Sequence, residues 1–166
     1  IKNTAQGDTA CFEALYNEFV NKIYGYLKIR LSDEYVIRDI IQEVFLAVWR
    51  GAGKYNGSSP AASWIFGITR NKMADMLRMK YGSFEDIGLP EEESCVDDDF
   101  SNQLADGLDI RNAMESLPQT SKELAYLVYS LGMSYKEVSE IMGIPEGTVK
   151  SRVFNLKSTL KKVLME

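Results

Sequence analysis

Between Asp8 and Met79, apolar side chains recur mostly every three or four residues. That spacing gathers them on one face of a helix and would scatter them over both faces of a strand. Breaks fall at Leu31-Ser32-Asp33 and at "GAGKYNGSSP", Gly51 to Pro60, which divides the stretch into three or four helices. Helical spacing resumes at Leu108, and "SLPQTSKEL" supplies a break and a fresh helix start over Pro118 to Lys122. Helices then continue to the end, and neither strand-like alternation nor an internal repeat competes with them. The expected fold is all-α: two small helical domains, residues 1–80 and 108–166, joined by an acidic extended linker over residues 81–107.

The linker, "YGSFEDIGLPEEESCVDDDFSNQLADG", has no sustained period, two acidic triplets at Glu91 to Glu93 and Asp97 to Asp99, and several Gly, Ser and Pro residues. It also explains the overall charge. The chain has a net charge of −5, but residues 81–116 hold 1 Lys/Arg against 11 Asp/Glu. Residues 1–80 hold 11 against 8, and residues 117–166 hold 7 against 5. Two mildly basic ends can each approach a polyanion, while the mean keeps unaided, non-specific DNA binding weak.

Several function classes drop out on composition. There is no His, and Cys11 and Cys95 are the only cysteines, far apart and without a CxxC pair. A zinc cluster or a secreted disulfide framework is not expected, and both cysteines read as thiols in a reducing cytosol. The commonest general base is missing, and no nucleophile elbow or phosphate-binding glycine loop is visible. No apolar run nears the roughly 20 residues needed to cross a bilayer, and no secretory signal opens the sequence. A cytoplasmic, non-enzymatic protein with no membrane insertion, metal or cofactor is expected.

In "SYKEVSEIMGIPEGTVKSRVFNLKSTLKK", Ser134 is placed to cap a helix whose core side is Val138, Ile141 and Met142, and Gly143 to end it. Ile144-Pro145 leads straight into a second helix, where Val149, Val153, Leu156 and Leu160 stack as one narrow stripe. The opposite face carries Lys150, Ser151, Phe154, Asn155, Lys157, Ser158, Lys161 and Lys162, flanked by Thr148 and Arg152. Two short helices joined by a glycine turn, the second cationic on its outer face, form the helix-turn-helix pattern. A solvated amphipathic helix is the plain alternative. Phe154 weighs against it, because an aromatic among the cations serves a thymine methyl or a stacked base better than it serves solubility.

"VIRDIIQEVFLAVWR", Val36 to Arg50, places Ile37, Ile40, Ile41, Val44 and Val48 on one side of a helix and Asp39, Gln42, Glu43, Leu46 and Arg50 on the other. Leu46 is either an incidental exposure or the centre of a protein-binding surface. In "KYNGSSPAASWIFGITRNKMADMLRMK", Lys54 to Lys80, a small-residue loop feeds another helix. Ile65, Phe66, Thr69, Met73, Met76 and Leu77 face inward, and Trp64, Gly67, Asn71, Asp75 and Arg78 point away. Trp64 suits either a partly buried core or an outward contact. Asn71 and Arg78 suit a base edge and a phosphate.

Four ordered segments together resemble the extracytoplasmic-function group of bacterial sigma factors. "GMSYKEVSEIMGIPEGTVKSRVFNLKSTLKK" resembles region 4.2, "VIRDIIQEVFLAVWR" region 2.2, Lys54 to Lys80 regions 2.3 and 2.4, and "GDTACFEALYNEF" the region 1.2 to 2.1 opening. The resemblance implies that Asp39, Gln42, Glu43, Leu46 and Arg50 dock on the β′ clamp helices of core RNA polymerase, with the β flap as a further polymerase contact. It implies that Lys54, Tyr55, Asn56, Gly57, Ser58, Ser59, Ser63, Trp64, Asn71, Asp75 and Arg78 capture the melted minus-10 strand. Thr148, Lys150, Ser151, Arg152, Phe154, Asn155, Lys157 and Lys161 would read the minus-35 duplex. The linker would pass near the RNA path, and an anti-sigma factor would be a further partner.

Asn155 departs from the family, which often has Arg there, so no minus-35 base preference carries over. Two rivals stand beside this reading. One is a helix-turn-helix regulator with an N-terminal sensing domain; the other is a helical adaptor with no nucleic-acid role.

Overall fold

The structure, a computed structural model, describes residue 1, residues 4–81 and residues 117–164. Among them are six α-helices and no strand: α1 (Thr9–Lys28), α2 (Glu34–Gly51), α3 (Ala61–Tyr81), α4 (Gln119–Ala125), α5 (Tyr135–Met142) and α6 (Glu146–Leu164). Short 3₁₀ turns occupy Thr4–Gln6 and Ala52–Lys54, and a π turn occupies Tyr126–Ser130. The acidic linker beyond Tyr81, the helix restart at Leu108 and Cys95 lie outside the described residues. No helix among those described is long and apolar enough to cross a membrane. The described residues fall into two compact units, the first holding α1–α3 and the second holding α4, the π turn, most of α5 and α6.

In the first unit, each helix start is fixed by a side chain or by the turn before it. The Asp8 carboxylate accepts from Cys11 N at 3.0 Å and opens α1, while Asp33 accepts from Tyr35 N at 3.0 Å and opens α2. Before α3, Trp64 N donates to Pro60 O at 3.2 Å. The buried stripes are Phe19, Ile23, Tyr26 and Leu27 on α1, Ile37, Ile40, Ile41, Val44, Phe45 and Val48 on α2, and Ile65, Phe66, Met73, Ala74 and Leu77 on α3. α2 packs against both neighbours. Tyr26 meets Phe66 edge-to-face at 5.6 Å between ring centroids, a pairing that contributes about 0.5–1.5 kcal/mol beyond area burial. Thr69, fully buried, donates its hydroxyl to Ile65 O at 2.9 Å and so keeps its hydrogen bond inside the core.

The second unit closes its short helices with local devices. Ser134 and Glu137 form a capping box at the start of α5. Glu137 Oε2 accepts from Ser134 N at 2.8 Å, and Ser134 Oγ accepts from Glu137 N at 3.3 Å. Gly143, at φ 66°, ends α5 in the left-handed conformation, and Ile144 N reaches back to Ser139 O at 3.2 Å. α4 packs on α6, where Leu117, Ala125 and Leu156 form a core cluster with Leu160 against it.

Candidate functional site

The one-sided burial of α2 leaves Asp39, Gln42, Glu43, Leu46 and Arg50 all exposed, as the spacing predicts. Leu46 is 45 % exposed in the middle of this polar face. Trp49, one helical turn on and also exposed, enlarges the apolar part of the face. The sequence reading passed over it, although its spacing from Leu46 carried the signal.

Three of these residues share a groove with α3. Asp39, Ile40, Gln42 and Glu43 line one wall of a space of about 410 Å³, and Lys72, Asp75, Met76 and Met79 line the other. Lys72 Nζ lies 3.0 Å from Glu43 Oε2 across it. Further along, Lys80 Nζ lies 3.4 Å from Asp33 Oδ2. Asp33 is held below the usual carboxylate range, chiefly by the Val36 backbone N–H and then by Lys80. Exposed pairs of this kind add little stability; they follow the antiparallel run of α2 against α3. The groove therefore joins Asp75, which the sequence assigns to DNA, with residues that it assigns to protein docking. Lys72 and Met79, which the sequence reading did not select, complete it.

On α3, Asn71, Asp75 and Arg78 are exposed and Gly67 is partly so. Arg78 Nη2 pairs with Asp75 Oδ1 at 2.7 Å, so its charge is shared with its own helix. Ser63, by contrast, is only 5 % exposed. It precedes Phe66 by three residues and Met73 by ten, which places it on the buried stripe. The loop before α3 keeps Lys54, Asn56, Gly57 and Ser58 exposed and Ser59 partly so. Tyr55 is not an open stacking surface. Its ring packs against Trp64 at 5.1 Å between centroids, and its hydroxyl donates to Ser59 O. Trp64 is half-buried.

On α6, Val149, Val153 and Leu156 are buried. Lys150, Asn155 and Lys161 are exposed, and Thr148, Ser151, Arg152 and Lys157 are partly so. Ser151 Oγ donates to Thr148 O at 3.0 Å, which fixes its hydroxyl on the backbone of the preceding turn. Phe154 is half-buried rather than fully exposed among the cations. The helix thus presents point charges flanking a short amide, a surface suited to phosphates on either side of a base edge. Among the described residues, no cluster of three or more His, Cys, Asp or Glu is placed to hold a metal ion.

Comparison with known proteins identifies the family. Residues 15–81 match the model of Sigma-70 region 2, and residues 107–160 match that of Sigma-70, region 4. The RNA polymerase sigma factor SigZ of Bacillus subtilis is 30 % identical over 92 % of this chain and 86 % of its own. The ECF RNA polymerase sigma factor SigL of Mycobacterium tuberculosis is 28 % identical over 100 % of this chain and 96 % of its own. Among solved structures, the sigma factor RpoE of Bartonella quintana, in complex with the anti-sigma factor NepR, shares the fold with a TM-score of 0.66. It is 22 % identical, with 93 % of this chain and 96 % of that one covered. CnrH, in complex with the cytosolic domain of CnrY, also gives 0.66 at 20 % identity, over 98 % and 92 % of the two chains. With one matched segment on α1–α3 and the other reaching through α6, the chain belongs to the sigma-70 family, as a member of its extracytoplasmic-function group.

Proposed function

We propose that this sigma factor acts in the cytoplasm by holding core RNA polymerase with the outer face of α2 and directing it to promoters through two DNA-reading surfaces. The loop over residues 54–59 and the Asn71 side of α3 take the melted minus-10 strand, and the outer face of α6 reads the minus-35 duplex. The protein carries out no chemistry itself. The observation that carries this reading is the presence, in one chain, of an exposed leucine set in a polar helix face and a recognition helix whose outer side is cationic. Polymerase supplies most of the affinity by tethering. A modest basic helix therefore suffices, and the net charge of −5 suppresses stray binding. Residues 1–80 form the polymerase and minus-10 domain, and residues 108–166 form the minus-35 domain. Because RpoE is seen with an anti-sigma factor, an anti-sigma partner for this chain is part of the proposal.

Run-off transcription with core polymerase on a promoter library tests the reading. The expected result is promoter-specific transcripts that depend on the chain, together with its co-purification with core polymerase. Tight duplex binding by the isolated protein at physiological salt, without any complex with core polymerase, would replace it by the regulator reading.

A further inference from the structure

The loop after α2 is fixed at both ends, and we propose that Gly51, Tyr55 and Trp64 are positioning residues that preset residues 56–59 to receive an extruded base. This rests on the reading of that loop as the capture site for the minus-10 strand. Trp64 stands on the first turn of α3, and its ring lies against Tyr55 at 42°. It also covers the end of α2. A Cβ added at Gly51 would lie 3.2 Å from Trp64 Cζ2 and 3.5 Å from Cη2, so a side chain there would oblige the indole to give way by a few tenths of an ångström. Tyr55 then bridges the loop. Its backbone N–H donates to Ala52 O at 3.3 Å on one side, and its hydroxyl donates to Ser59 O on the other.

Inside the bridge, Ser58 N donates to Asn56 Oδ1 at 2.9 Å, and Gly57 adopts φ 76°. The turn is thus folded while Asn56, Gly57 and Ser58 remain exposed. A loop already ordered loses little chain freedom on capturing a nucleotide, and the gain is on the order of tenfold in affinity for each residue spared that loss. The aromatic pair therefore serves the single strand by holding the small polar residues of the loop in place.

Hydrogen exchange of the full chain and fork-junction binding by holoenzyme test this together, the probe being promoter DNA with a single-stranded minus-10 segment. Tyr55→Phe keeps the ring and loses the bridge to Ser59. It should speed amide exchange at residues 57–59 and weaken fork-junction binding several-fold, about 3- to 10-fold, with fully duplex binding unaltered. Trp64→Leu and Gly51→Ala should each cost about tenfold, and Trp64→Phe should recover most of that loss. Unchanged exchange in both Tyr55→Phe and Trp64→Leu would overturn the clamp. Faster exchange with unaltered fork binding, while Ser58→Ala weakens that binding, would overturn its role in capture. If Asn56→Ala and Ser58→Ala also leave fork binding unaltered, the capture reading itself falls, and the clamp's role falls with it.

Discussion

α2 and α6 are both amphipathic helices of nearly equal length, 18 and 19 residues, yet they hold their working faces in different ways. α2 buries six positions between two partner helices. Among its described residues α6 has three buried positions on a narrow stripe, with Leu160 partly covered. The wide core of α2 gives it a fixed, largely uncharged centre on which one leucine can be exposed. The narrow core of α6 leaves more than half its circumference for cations. A helix that offers apolar surface to a protein must be held firmly by its own unit, whereas a helix that offers charge to a duplex can spare more of its surface, because the groove encloses it on binding.

The largest effect expected from this contrast is on stability. Leu156→Ala removes one of the few buried anchors of α6 and should destabilise the second unit by about 2–5 kcal/mol. Both tryptophans, Trp49 and Trp64, lie in the first unit. Their fluorescence melt should therefore stay in place while an earlier transition appears in far-ultraviolet circular dichroism. A shift of the two signals together would break the comparison.

Next in size is the docking face. Leu46→Ala should lower affinity for core polymerase by roughly 2 kcal/mol, about thirtyfold, because docking takes an exposed leucine side chain out of water. Asp39→Ala should act in the same direction. Unchanged titration of core polymerase by both variants would remove the face from the interface.

The two kinds of contact on α6 separate at a smaller scale. Asn155→Arg should shift the preferred base in the minus-35 element, since an amide pairs with adenine and a guanidinium with guanine, with discrimination of about 1–3 kcal/mol. Lys157→Ala should weaken all promoters alike and reduce the salt slope of holoenzyme binding by about one. Selection from a randomised minus-35 library checks both, and an unaltered motif for Asn155→Arg would sink the assignment.

The smallest effect concerns acid. Asp8, Asp33 and Glu34 all have carboxyls held below their ordinary values: Asp8 by the Cys11 backbone N–H, Asp33 by that of Val36, and Glu34 by hydrogen bonds first from Lys28 and then from Tyr24. A depressed carboxyl stabilises fully above its unfolded value and loses that contribution as the pH falls through its folded one. The starts of α1 and α2 should thus loosen as the pH drops below the ordinary carboxylate range of about 4. Exchange of the amides of Tyr35 and Val36 reads this directly. Glu34→Gln should flatten the response near the α1–α2 turn; an equally steep one would show that the Lys28–Glu34–Tyr24 contacts do not contribute.

Most of the first unit was legible because its buried positions recur at helical spacing over whole helices, so Ile37 through Val48 declared their side without tertiary information. The burial of Ser63 was not legible because serine carries no apolar signal, and only its distance from Phe66 and Met73 reveals the stripe it sits on. The pairing of Glu43 with Lys72 joins residues 29 apart in sequence, a relation that no local pattern encodes. The engagement of Tyr55 by Trp64 has the same origin, since the loop had to fold back before the two rings could meet. On α6 the exposed set was readable from charge and period, whereas the half-burial of Phe154, about 100° or more from every residue of the stripe, was not.

The π turn at Tyr126–Ser130 was invisible in the sequence, where Leu124 and Leu127 continue an ordinary helical spacing. There Leu131 N reaches back five residues to Tyr126 O at 3.0 Å, and Met133 N reaches Leu127 O at 3.1 Å past Gly132 at φ 66°. Such a turn accommodates one residue more than an α-turn. Elsewhere in α4 or α6, deleting a residue would rotate everything after it by about 100° and swing a buried stripe into water. At the π turn a one-residue deletion, such as that of the exposed Tyr129, would return the backbone to α geometry. The chain could thus change length at this point and still deliver the recognition helix in register, which makes the turn a natural place for relatives to differ by a single-residue gap.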